Sequence, residues 1–117
     1  MKIDTDKGII EISNDVFTSV AGWAASSCFG VKGMATRTVA DGIVHLLKIE
    51  AVGRGVKIKT LPDNSVAIEL HIIVEHGVNI NAVCRSIISE VRYIVNKFTG
   101  VTVSDATVFV DSIMTGS

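Results

Sequence analysis

Three histidines, two cysteines and scattered hydroxyls are the side chains of this 117-residue protein from which a zinc site or an activated nucleophile would first be built. A zinc site needs Cys and His at close spacing, whereas His45, His71, His76, Cys28 and Cys84 are dispersed along the chain. His71 and His76 straddle the expected end of a strand and do not share a face, so structural or surface roles are expected of the histidines. No serine or threonine lies in a nucleophile-elbow sequence, no paired His and Asp pattern accompanies one, and no carboxylate pair forms an acid/base motif. Gly53-Arg54-Gly55-Val56-Lys57 has the glycines and cations of a phosphate loop, but it precedes a strand. A phosphate loop must open a helix, so this segment reads as a turn. The expectation is a protein that is not an enzyme and that uses no metal or cofactor.

Both cysteines fall on the apolar faces of expected helices, where a buried free thiol acts as a small hydrophobe. A disulfide is the less favoured reading in a reducing compartment. Gly30-Val31-Lys32-Gly33 fits the four-residue loop with which KH domains clamp a nucleic-acid backbone. In those domains the loop joins two helices; here it joins a helix to a strand, and Lys32 is its one cation. The aromatic residues Trp23 and Tyr93 are on helices, and Trp23 is expected to pack at the edge of an apolar stripe. A KH-like nucleic-acid-binding module is the alternative function.

Charge adds one further hint. The net charge is −1, yet residues 30–60 carry six basic side chains against Asp41 and Glu50, a local +4. Such asymmetry can steer an anionic partner, although a solvated surface is the plainer reading.

The elements that must position these groups are readable from periodicity. Gly8 to Ile12 alternates as a short strand, and Ser13 is placed to cap a helix with its side chain. Val16, Phe17, Val20, Ala21, Ala24 and Cys28 then form a helical stripe that Gly30 closes. Val31 to Ala35 is a brief strand and Thr36 to Ala40 a loop. Asp41 is placed to cap a short middle helix with Ile43, Val44, Leu46 and Leu47 inward. A hairpin follows, turning at Leu61-Pro62-Asp63-Asn64-Ser65. Its second strand, Val66 to Glu75, has one wholly apolar face. Asn79 caps a long helix whose stripe runs from Ile80 to Phe98, and the last strand covers about Val103 to Ile113.

Two strand–helix–strand passages put both long helices on one side if their strands share a sheet. The fold class expected is α+β: a single domain, residues 1–117, built as a two-layer sandwich of a mixed sheet and two helices. At this length a real core is expected, with 48% apolar residues to fill it. No apolar stretch is long enough to span a bilayer, and Met1-Lys2-Ile3-Asp4 lacks the start of a signal peptide. The expectation is a cytoplasmic protein, or one held at a membrane by a partner.

The other sheet face would display Glu11, Lys57, Lys59, Glu69, His71, Ile73, Phe109 and Asp111. It is either an ordinary solvated sheet or a contact surface in which Ile73 and Phe109 sit inside a polar rim.

A set of short motifs runs through Gly8-Ile9-Ile10-Glu11-Ile12-Ser13-Asn14-Asp15-Val16, Cys28-Phe29-Gly30-Val31-Lys32-Gly33-Met34-Ala35 and Asp41-Gly42. It continues through Arg54-Gly55-Val56, Leu70-His71-Ile72-Ile73-Val74, Gly77 and Thr99-Gly100-Val101. In these motifs the chain resembles the bacterial alkaline-shock or envelope-stress family, in particular its YloU-like subgroup. Each motif is weak, but their order and spacing cover nearly the whole chain. The resemblance implies a small non-catalytic cytoplasmic protein that self-assembles, in some cases held at the membrane by a separate anchored partner. It supplies no catalytic residues. Many relatives carry an aromatic residue where this chain has His76 before Gly77.

Overall fold

The computed structural model describes residues 1–37, 44–46 and 55–114. The first element is a hairpin that stands apart from the main sheet. Strand β1, Lys2–Thr5, pairs antiparallel with β2, Gly8–Glu11, and no strand of the other sheet joins them. The Thr5 hydroxyl donates to the Gly8 carbonyl at 2.7 Å, and the Met1 ammonium donates to the Ile12 carbonyl at 2.7 Å. The first strand–helix–strand passage is therefore not a crossover within one sheet. The sequence pattern announces β2 but not β1, whose single apolar residue, Ile3, gives no alternation to detect.

Helix α1 spans Asn14–Ser26. Ser13 precedes it in extended conformation but makes no side-chain capping bond; its carbonyl accepts from the Val16 N–H at 3.1 Å instead. The helix stops at Ser26, before Cys28, the last residue of the expected stripe. The Ser26 and Ser27 hydroxyls both donate to the Trp23 carbonyl and close the last turn there. Gly30 then reverses the chain at φ +87°, where a Cβ would stand 2.8 Å from Val83 Cγ2. Only glycine fits both the conformation and the space.

Strand β3 covers Val31–Arg37 and reaches past the expected Ala35. It pairs antiparallel with β4, Val44–Leu46. This corrects the expected middle helix: Val44, His45 and Leu46 are extended, and its remaining residues lie outside the described ones. A short apolar run fits either period, and pairing with β3 decides it. Strand β5, Val56–Thr60, turns into β6, Val66–Glu75. In the turn Asn64 adopts φ +64° and Asp63 Oδ1 accepts from the Ser65 hydroxyl and N–H. Those bonds hold the Asp63 carboxyl below its ordinary range. Helix α2, Ile80–Thr99, begins with Asn79 Oδ1 accepting from the Ala82 N–H at 3.0 Å and ends at Gly100, φ +76°. Strand β7, Val103–Met114, completes the α+β fold.

The five-stranded sheet is organised about β6. Strand β7 runs parallel to it along its whole length, from Val66↔Val103 to Glu75↔Met114. The opposite edge is shared in tandem. Strand β5 pairs with Val66–Leu70, and β3 pairs with Ile72–Val74, both antiparallel. The two meet at Gly55, where a Cβ would lie 2.8 Å from the Ala35 carbonyl oxygen and 3.0 Å from that of His71.

One face of β6 makes the core. Val66, Ile68, Leu70, Ile72 and Val74 are buried with Phe17, Ala21, Ala24 and Ala25 of α1 and Val83, Ile87, Val91 and Val95 of α2. The two helices pack on each other and close one core with this strand face, α1 lying against β3 and β5 and α2 against β7. The alanines of α1 let its axis lie close, while Phe17 fills the remaining volume.

Because the atoms crowding Gly55 are backbone on two sides, Gly55→Ala is expected to lower unfolding free energy by about 1–3 kcal/mol. Urea denaturation of both proteins measures it.

Candidate interaction surface on the outer sheet face

Alternation along β6 sends Ala67, Glu69, His71 and Ile73 to the side away from the helices. Sheet register brings Lys57 beside Glu69 from β5, and Thr107 beside Glu69 and Phe109 beside His71 from β7. A chain of polar contacts results. Lys57 Nζ lies 3.9 Å from Glu69 Oε2, that oxygen lies 2.9 Å from His71 Nε2, and His71 Nδ1 lies 3.0 Å from Asp111 Oδ2. The rings of His71 and Phe109 stack with centroids 4.8 Å apart and planes 9° from parallel.

Asp111 owes its position to a bulge. The pairing steps from Ile72↔Val110 to Ile73↔Ser112, so Asp111 is an extra residue in β7. Bulges commonly re-aim a side chain. Here the carboxylate, only 5% exposed, turns toward the imidazole.

The chemistry open to His71 follows from donor counting. An imidazolium donates to both carboxylates, whereas a neutral ring has one donor and one acceptor and satisfies only one. In a hydrolytic triad the nitrogen opposite the aspartate would face a hydroxyl or thiol. Here Glu69 occupies that side. The arrangement ties three strands together and holds Phe109 flat on the sheet.

Of the expected face residues, Lys57, Glu69, His71, Phe109 and Asp111 come together, and Lys59 stands one register row away. Two assignments need correction. Ile73 is only 3% exposed and is not displayed, although it faces away from the helix-side core. Glu11 lies on β2, in the separate hairpin. The sequence-based face omits Asp105, Thr107 and Ala67, which alternation places on the same side; following the parity of Phe109 back to the start of β7 finds the first two.

Other sequence candidates sit elsewhere. Cys28 and Cys84 are free and half-buried, and desolvation pushes both thiols up, the Glu90 charge adding to the effect at Cys28. Gly30 ends the turn after α1 while Val31, Lys32 and Gly33 are already in β3. Lys32 Nζ is 4.0 Å from Glu75. His76 is exposed at the end of β6 and donates its N–H to the Met114 carbonyl. Trp23, expected to pack at the stripe edge, is 59% exposed. Tyr93 is exposed on α2 with the Lys97 ammonium 5.7 Å from its ring centre. No helix among the described residues is long and apolar enough to cross a membrane.

The described residues form an α+β domain whose outer sheet face carries a stacked His71–Phe109 pair within a chain of polar contacts. Its family is established by comparison: residues 2–115 match the alkaline-shock protein family described as having a cell envelope-related function, and the chain belongs to that family. Similar proteins include YloU of Bacillus subtilis (strain 168), 33% identical over 114 residues that cover 97% of this chain and 94% of the relative. Spy1614 of Streptococcus pyogenes serotype M6 is 32% identical over 97% of this chain and 93% of its own length. YqhY of Bacillus subtilis is 30% identical over 92% of this chain and 78% of its own length. No solved structure matches.

Removing the imidazole takes a donor from a nearly buried carboxylate, whereas the Lys57 side chain is 78% exposed. His71→Ala is expected to cost about 1–3 kcal/mol of stability. Lys57→Ala should cost less than about 1 kcal/mol. Parallel urea titrations distinguish the two.

Proposed function

We propose that this chain is a non-catalytic, envelope-related protein that works by association, with copies of itself or with a membrane-anchored protein, through the outer face of its sheet. The carrying observation is Phe109, 41% exposed yet fixed against His71 in the middle of a polar surface. A rigid aromatic residue inside a polar rim is the composition that interface centres favour. The layout behind this reading is a two-layer sandwich. Both helices cover one side of the sheet, and the residues around Glu69 and His71 remain accessible on the other.

Membership of an envelope-related family supports the same reading. With no spanning helix among the described residues, the route to the envelope in this proposal is a protein partner, and the location is cytoplasmic and peripheral.

Phe109→Glu is the test. It places a charge where the proposal needs an apolar contact, on a side chain that is not part of the helix-side core. The expected result is a lower mass by light scattering with unchanged helicity by circular dichroism. Unchanged mass, together with unchanged recovery of membrane proteins in a pull-down from the native cells, would remove the proposal.

A further inference from the structure

The accessible end of the outer face is electrically lopsided. Register aligns Lys59 of β5, Ala67 of β6 and Asp105 of β7 in one row across the sheet. Strands spaced about 4.8 Å apart put the lysine and the aspartate roughly 10 Å apart at the backbone, with only a methyl group between them. Both ends of the row are exposed, and neither side chain makes an ion pair or hydrogen bond among the described residues. The next row, Lys57–Glu69–Thr107, is already neutralised internally by the Lys57–Glu69 contact. Beyond it, the buried Ile73 limits the free area to this end of the sheet.

A surface positive along one strand and negative along another is complementary to itself under one symmetry operation. A two-fold axis lying along β6 between two facing sheets carries β5 of one copy over β7 of the other. An in-plane axis perpendicular to the strands instead sets lysine over lysine and aspartate over aspartate. We propose that the occupant of this face is a second copy of the chain, related by a two-fold axis along β6, so that Lys59 faces the partner's Asp105 and Asp105 faces the partner's Lys59 across paired Ala67 residues. This rests on the proposed function and specifies its partner and geometry.

Three further features fit. Sheets packed face to face stand about 10 Å apart, a gap that a lysine and an aspartate side chain bridge together. Ala67, the smallest side chain of the outer row, sits on the axis, where the two copies must approach most closely. Edge-to-edge pairing through β7 is the competing route, and it is obstructed. The pairing shifts at Ser104 and Asp111 mark two bulges in that strand, a device that blunts an edge. Glu69 also meets its own copy near the axis, but each is held by Lys57 and His71 of its own chain.

Sedimentation velocity on the full chain across a concentration series tests the arrangement. Lys59→Glu and Asp105→Lys should each weaken dimerisation about tenfold, because each reversal turns two symmetric attractions into repulsions. Combining Lys59→Asp with Asp105→Lys should restore the wild-type constant to within about threefold, and about 0.5 M salt should flatten the series. A combined variant no tighter than either single one overturns this inference. If Phe109→Glu still lowers the mass in that case, the face assembles in another register and the proposed function stands. If Phe109→Glu and both reversals leave the mass unchanged, the inference falls, and the proposed function falls with it when Phe109→Glu also leaves the recovery of membrane proteins in the pull-down unchanged.

Discussion

Everything in this molecule depends on β6 having both edges and both faces committed. One edge carries β7 over its full length, and the other is divided between β5 and β3. One face holds Val66, Ile68, Leu70, Ile72 and Val74 against both helices. The strand is therefore the one element that every other part of the main body contacts directly or through a neighbour. Its ten residues keep strict alternation because a slip of one position would exchange the core set for Glu69, His71 and Glu75. Two charges and an imidazole would then be buried with no partners waiting, which hydrophobic gain elsewhere does not offset.

The division of labour between faces follows from that alternation. Stability resides on the helix side, where fully buried Leu70, Ile72, Ile87 and Val91 interlock. The outer side carries Lys57, Glu69, His71 and Asp111, whose mutual contacts satisfy charge at modest energetic return. Among the described residues of the outer face, only Asp111 and Ile73 are deeply buried.

Much of this is legible in the sequence, and the successes share a cause. Strand β6, helix α2 and strand β7 match their expected spans because their signals are local: alternation, a 3.6-residue stripe, Asn79 at one helix end and Gly100 at the other. The failures are non-local. Strand β1 exists because β2 pairs with it, and β4 because β3 does; Lys2–Thr5 and Val44–Leu46 carry too little pattern to announce themselves. Helix ends err in the same way. Val16, Ile80 and Phe98 continue the apolar stripes, yet all three are exposed. Ile73 fails for the opposite reason, since parity fixes its direction but does not reveal that its surface is covered.

The Asp111 bulge changes which residues of β7 lie on each face beyond Val110. Without it, continued pairing would set Asp111 beside Ile73 and Ser112 beside Val74, placing a hydroxyl on the helix side. With it, Ser112 pairs with Ile73 on the outer side and Ile113, itself 47% exposed, pairs with Val74. The displaced aspartate is not left to solvent, because the bend turns it to His71, whose ring lies flat against Phe109. The register at the end of β7 and the posture of the outer aromatic residue are therefore coupled through a single backbone irregularity. A straight β7 would disturb both, which is why the end of this strand, and not its regular middle, decides how the outer face is presented.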